Sequence, residues 1–248
     1  MSTIYFIKTT QVESGFIEVH AAKPENGYSN SILLSTTGYH PEELKNGVFA
    51  VAPEGLIPQE HRLRDKDFDM IAVTAFDAAN ADKGTWAFDH GNLYFVETRN
   101  AGLVNVYAAA RDNTTAYAAI TTDIEVPISQ AEAGNGAWDV RDKEVYFIRH
   151  RNTKSGKVEV WYVSARPSAE SNLQTVKRYT TWFSNADGEK GIWRIGANKD
   201  LYFIKTSATG AGLIEVHVAS EKSGYQLVEH HHTWVQEGDA TLGTWIVD

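Results

Sequence analysis

The residues best equipped for chemistry recur as a short phrase in which a polar group stands two places before a ring. It reads Glu18-Val19-His20, Glu159-Val160-Trp161 and Glu215-Val216-His217, with Asn105-Val106-Tyr107 as a variant. Residues two apart in a strand share a face, so each polar group lies beside its ring. A carboxylate accepts hydrogen bonds from hydroxyl groups. An aromatic face packs on C–H surface, so the pair suits a sugar. The competing reading is structural. Lys8, Arg149 and Lys205 could pair with these acids across neighbouring repeats and hold the assembly together. Trp182 and Trp234 follow Thr180-Thr181 and Thr233 and precede polar loops, which makes them further ligand candidates. The expected ligand-binding set is Glu18, His20, Asn105, Tyr107, Arg149, Glu159, Trp161, Trp182, Glu215, His217 and Trp234.

Two other chemistries are weighed and set aside. In His230-His231-His232 the outer two share a strand face and could be two metal ligands. No third ligand stands at a useful spacing, so neither a metal nor a cofactor is expected. Asn185-Ala186-Asp187-Gly188-Glu189 has the composition of a calcium loop, but its glycine is misplaced. A glycosidase needs two opposed carboxylates. Asp89 and Asp248 recur at one repeat position, with Asp139 near it. Acids that recur with a repeat read as turn formers, so catalysis is the minor alternative. There is no Gly-x-Ser-x-Gly, phosphate loop or His-Glu-x-x-His.

The elements that must position these groups follow from a second recurring phrase. Gly84-Thr85-Trp86 and Gly243-Thr244-Trp245 match closely, and Gly136-Ala137-Trp138, Gly191-Ile192-Trp193 and Gly47-Val48-Phe49 match more loosely. The aromatic residue falls at 49, 86, 138, 193 and 245, giving intervals of 37, 52, 55 and 52 residues. A period near fifty marks a repeat architecture of the propeller kind. The Gly-x-Trp indoles read as core at strand starts. Leu93-Tyr94-Phe95-Val96, Val145-Tyr146-Phe147-Ile148 and Leu201-Tyr202-Phe203-Ile204 each follow such a phrase. Ile4-Tyr5-Phe6-Ile7 has no such phrase before it, and Trp245 has no strand after it. The final strand is therefore expected to complete the first repeat.

Short β-branched and aromatic runs between turn formers give the strands. In the first repeat they are 4–8, 16–22 and 28–36; in the third, 93–98, 103–110 and 117–122; in the fourth, 145–149, 157–164 and 175–182; in the fifth, 192–195, 201–206, 213–219 and 225–233. The repeats run about 1–46 with 243–248, 47–83, 84–135, 136–190 and 191–242. The second is too short for four strands and carries Pro58 and the charged stretch Arg62–Asp69, so a truncated blade is expected there. No stretch has sustained helical period, and no linker marks a boundary.

Composition sets outer limits. The 248 residues are 42% hydrophobic and 22% charged, with a net charge of −9. A phosphate backbone requires a basic face, so nucleic acid is not an expected partner. There is no cysteine and no apolar run long enough to span a bilayer. Met1-Ser2-Thr3-Ile4-Tyr5 carries no leader, which leaves a cytosolic protein or one secreted without a visible signal. Asn113-Thr114-Thr115 is a lone glycosylation sequon.

The cadence Leu201-Tyr202-Phe203-Ile204-Lys205, Gly212-Leu213-Ile214-Glu215-Val216-His217, Gly243-Thr244-Trp245 resembles the repeats of small β-propeller lectins. The strand–Gly–strand–Trp order is similar to fungal and bacterial fucose-binding propellers, and the length to the five-bladed tachylectin type. The resemblance implies glycan partners and grooves between blades holding an Arg, a Glu and aromatic residues. Arg149 with Glu159 loosely matches that set, while Lys8 and Lys205 at the equivalent places depart from it. The sequence therefore predicts an all-β, single-domain, five-bladed β-propeller of four-stranded antiparallel blades. It would bind carbohydrate at several quasi-equivalent sites. A protein–protein interaction scaffold and a five-bladed glycosidase are the alternatives.

Overall fold

In the computed structural model, the described residues are 1–36, 40–44, 76, 82–99, 102–110, 120–164 and 176–248. They form sixteen strands. In chain order these are β1 (Ile4–Lys8), β2 (Glu18–Ala22), β3 (Ser31–Thr36), β4 (Gly84–Asp89), β5 (Asn92–Glu97), β6 (Leu103–Ala110), β7 (Ile120–Ser129) and β8 (Gly136–Arg141). Then come β9 (Glu144–Arg149), β10 (Lys157–Ser164), β11 (Val176–Ser184), β12 (Gly191–Ile195), β13 (Leu201–Lys205), β14 (Leu213–Ala219), β15 (Val228–Gln236) and β16 (Gly243–Val247).

The strands make four antiparallel sheets of four strands, each a propeller-type blade. Five were expected, and the count of four corrects that. Each sheet starts from one of the four Gly-x-Trp phrases, at Trp86, Trp138, Trp193 or Trp245. Counting Trp alone gives the right number; adding the looser Gly47-Val48-Phe49 gives one too many. Apart from Phe76 and the first residues of β4's lead-in, the stretch assigned to the second repeat lies outside the described residues. So do the sequon at Asn113 and the linker 166–173.

The chain divides into two compact units, Met1–Met70 with Glu189–Asp248, and Ile71–Gly188. The first contains the sheets β16-β1-β2-β3 and β12-β13-β14-β15. Here the C-terminal strand pairs with the N-terminal one, Trp245 opposite Phe6 and Ile246 opposite Tyr5. Backbone bonds bracket the pairing: the Thr9 and Thr10 N–H groups donate to the Leu242 carbonyl, and Asp248 N–H donates to that of Thr3. Ile4, Phe6, Tyr202, Ile204, Val216, Trp245 and Val247 form its core. The second unit contains β4-β5-β6-β7 and β8-β9-β10-β11. Its core includes Tyr94, Val106, Val126, Trp138, Val140, Phe147 and Trp161.

The inner strands follow the sequence reading closely, and the fourth strands depart from it. β3 and β15 begin three residues later than expected because Gly27-Tyr28 and Gly224-Tyr225 both turn through the left-handed region, with φ of 57° and 60°, and 63° and 63°. Both rings are buried. Tyr28 donates to the Ser2 carbonyl at 3.0 Å and Tyr225 to that of Lys199 at 3.1 Å. These bonds and burial offset the cost of a non-glycine residue with positive φ. β7 runs through to Ser129, well beyond the expected end at 122. Ile124, Val126 and Ile128 are buried while Glu125 and Pro127 face out, the alternation of a half-buried strand. Pro127 is tolerated because β7 is the outermost strand, where a missing N–H breaks no second ladder.

Candidate functional site

Strand pairing places the ring and carboxylate positions in two rows across one face of every sheet. The first row is Trp–Phe–ring: Trp245, Phe6 and His20; Trp193, Phe203 and His217; Trp86, Phe95 and Tyr107; Trp138, Phe147 and Trp161. The second row is glycine, then a charged residue, then the acid or amide: Gly243, Lys8 and Glu18; Gly191, Lys205 and Glu215; Gly84, Glu97 and Asn105; Gly136, Arg149 and Glu159.

The first two positions of the ring row are structural. Trp245 stacks on Phe6 at 4.6 Å, Trp193 on Phe203 at 4.1 Å and Trp138 on Phe147 at 4.5 Å between centroids. Trp86 and Phe95 meet at 4.5 Å with the rings tilted by 33°. The glycine beside each Trp is required by space. A Cβ on Gly84, Gly136, Gly191 or Gly243 would fall onto the carbonyl oxygen of Val96, Ile148, Ile204 or Ile7 respectively. In three of them it would also press a Phe ring, at 2.8 Å in Gly84, 2.7 Å in Gly136 and 2.8 Å in Gly243.

The acids make one arrangement three times. One carboxylate oxygen accepts from the loop before its own strand: from Glu13 N–H at 3.0 Å in Glu18, Gly210 N–H at 2.7 Å in Glu215 and Ser155 Oγ at 2.9 Å in Glu159. The other meets the ring nitrogen two residues on: His20 at 3.2 Å, His217 at 3.1 Å and Trp161 at 3.1 Å. Lys8 approaches Glu18 at 3.9 Å and Lys205 approaches Glu215 at 3.3 Å. These ion pairs lie between adjacent strands of one sheet, and not between repeats as the structural reading supposed. Arg149 stands opposite Glu159 in register, but it donates to the carbonyls of Arg151 and Asn152 and approaches Glu132 at 3.7 Å.

The electrostatics follow from these contacts. Burial works to raise the Glu215 carboxyl, but the Gly210 N–H, the His217 ring and Lys205 outweigh it and bring it down to about 2. Glu18 is lowered in the same way, with His20, the Glu13 N–H and Lys8 overcoming burial. Burial lowers His217 and His230, against the pull of Glu215 toward the charged form.

The remaining expected residues are placed as follows. Trp161 is buried, and the Arg178 guanidinium lies 3.8 Å over its ring, with that of Arg149 at 5.5 Å. Tyr107 donates to Glu97 at 3.3 Å, and Asn105 beside it is half-buried. Trp182 projects on β11 with 57% of its surface exposed. Trp234 is half-buried against the core of the first unit, 6.3 Å from Trp245. Asp89 and Asp139 are buried; Asp89 accepts from Lys143 N–H at 3.3 Å and Asp139 from Val140 N–H at 2.9 Å.

One grouping escaped the sequence reading. β15 runs beside β14 with His230 opposite His217 and His232 opposite Glu215. The residues judged to lack a third metal ligand thus gain two from the adjacent strand. The available signal was the shared strand-pair position of the two phrases, which becomes informative only once the hairpin register is known.

No family model matches the chain, and no curated protein matches it. Among solved structures, the crystal structure of a protein from Lactobacillus plantarum is similar over 93% of this chain and 52% of that one, at 14% identity and a TM-score of 0.28. The chain spans about half the length of that protein.

Proposed function

We propose that the protein is a binding module that takes carbohydrate at quasi-equivalent ring-and-polar positions on its blades. The supporting observation is the repetition itself. The ring–carboxylate pair recurs at one register position in three sheets, with Asn105 and Tyr107 at that position in the remaining one. Binding sites tolerate such repetition, whereas a catalytic pair must break it. His20, Tyr107 and His217 are partly exposed, and Trp182 offers an open ring. The carboxylates hold their own loops, so ring substitutions probe binding more cleanly than acid substitutions. On a glycan array the protein should bind a defined class of glycans, and free monosaccharide should compete. His20→Ala and Trp182→Ala should each weaken binding without lowering the melting temperature by more than a few degrees. An array with no binding, or binding indifferent to both changes, removes this reading.

A second reading has its own support. Ile32, Leu33 and Leu34 on the outer strand β3 are 59%, 52% and 44% exposed. Consecutive exposed aliphatic residues on a sheet edge favour a protein interaction surface. Leu33→Lys would then abolish capture of a partner while leaving glycan binding intact.

A further inference from the structure

We propose that Glu215, His217 and His230 form a binding site for a late first-row divalent metal ion, of which Zn2+ is the natural probe, with His232 at hand as a fourth ligand. Glu215 Oε2 lies 3.1 Å from His217 Nε2 and 3.7 Å from His230 Nε2. One ligand atom from each of the three lies within 4.8 Å of the other two. Ligands around a tetrahedral ion with bonds of about 2.0–2.1 Å stand roughly 3.3 Å apart. Two of the separations thus lie close to ligating distance, and the stacked imidazoles must turn for their nitrogens to converge on one ion. Their rings stack at 4.5 Å, and that of His232 lies 4.6 Å from His230. Imidazole nitrogen with carboxylate oxygen suits zinc and its neighbours rather than calcium or magnesium.

Two further observations support the assignment. Gly210 N–H holds the other oxygen of Glu215 at 2.7 Å, orienting the carboxylate as an outer hydrogen bond does in a metal centre. Among the described residues the grouping is also confined to one blade. The positions opposite His20 and Glu18 are Leu33 and Thr36; opposite Trp161 and Glu159 they are Arg178 and Thr180; opposite Tyr107 and Asn105 they are Asp123 and Glu125. The blade scaffold does not require histidine there, so its presence in β15 calls for a local reason. Lys205, 3.3 Å from Glu215, opposes an ion, and binding must displace its ammonium.

Titration calorimetry of the untagged full chain with ZnCl2 tests the proposal. It should give one ion per chain. His217→Gln and His230→Gln should each weaken binding by roughly tenfold or more. His231→Gln should change nothing, because that ring lies on the other face against Tyr28 at 5.3 Å. Lys205→Met should tighten binding. Co2+ should give ligand-field absorption that His217→Gln abolishes. His230 is exposed, so its variant should fold even if the His217 variant does not. The absence of saturable binding overturns the proposal. So does binding that survives in folded His217→Gln, since that is capture by the exposed histidine run alone.

Discussion

Glu215 concentrates the physical argument at the scale of single residues. It is 4% exposed and yet charged, because a backbone donor, an imidazole and an ammonium converge on it. Its folded value of about 2 lies below the ordinary 4.5. A depressed folded value means stability present above about 4.5 and lost as pH falls through about 2. Glu215→Gln should therefore melt lower than the parent at pH 7, and the gap should close between pH 5 and pH 2. A gap independent of pH would show that charge is not the cause. His217 acts at a higher pH. Its folded value is below the ordinary 6.5, so its contribution is present above 6.5 and is lost as pH falls through that lower folded value. Thermal melts of His217→Gln should accordingly depend less on pH between 7 and 5 than those of the parent. The sequence made the ring–carboxylate phrase plain from its period of two. It could not tell that each acid is occupied by its own loop, because the Glu13, Ser155 and Gly210 donors depend on how a hairpin folds back.

The Gly-x-Trp strand is the unit that makes the sheets repeat. Its Trp supplies a stacked ring and its glycine lets the neighbouring backbone approach. Gly243→Ala would force a Cβ onto the Ile7 carbonyl and the Phe6 ring. Overpacking of this kind costs about 1–3 kcal/mol, and a chain of this size loses about 2–4 °C for each kcal/mol. A fall of about 2–12 °C in the melting temperature is expected. Gly238→Ala meets no atom within 4 Å and should leave it unchanged. Equal shifts in the two variants would refute the steric account. Strands whose apolar residues are buried were legible from local pattern, and β1, β6, β10 and β14 have the bounds the sequence suggested. The outermost strands were not. The late start of β3 and β15 is set by Tyr28 and Tyr225 turning through positive φ, a conformation that depends on distant carbonyls.

Across the whole molecule, several weak sites would act through avidity. A multivalent glycan polymer should bind the protein far more tightly than the same sugar free in solution. The advantage should shrink as ring positions are removed one by one; an equal affinity for both would leave no role for repetition. The net charge of −9 suits a neutral ligand better than a polyanion. The sequence by itself determined the all-β class, the period, the alternation that brings acid and ring to one face, and the pairing of the last strand with the first. Each of these is carried by neighbours in sequence or by the complementarity of two loose ends. Tertiary structure alone decided that the described residues form four sheets, that Lys8 and Lys205 serve acids in their own sheets, and that His230 stands over His217. The last two outcomes depend on strand register. The Gly224-Tyr225 turn fixes it for β14 and β15, and a slip of one residue would turn His230 and His232 to the opposite face.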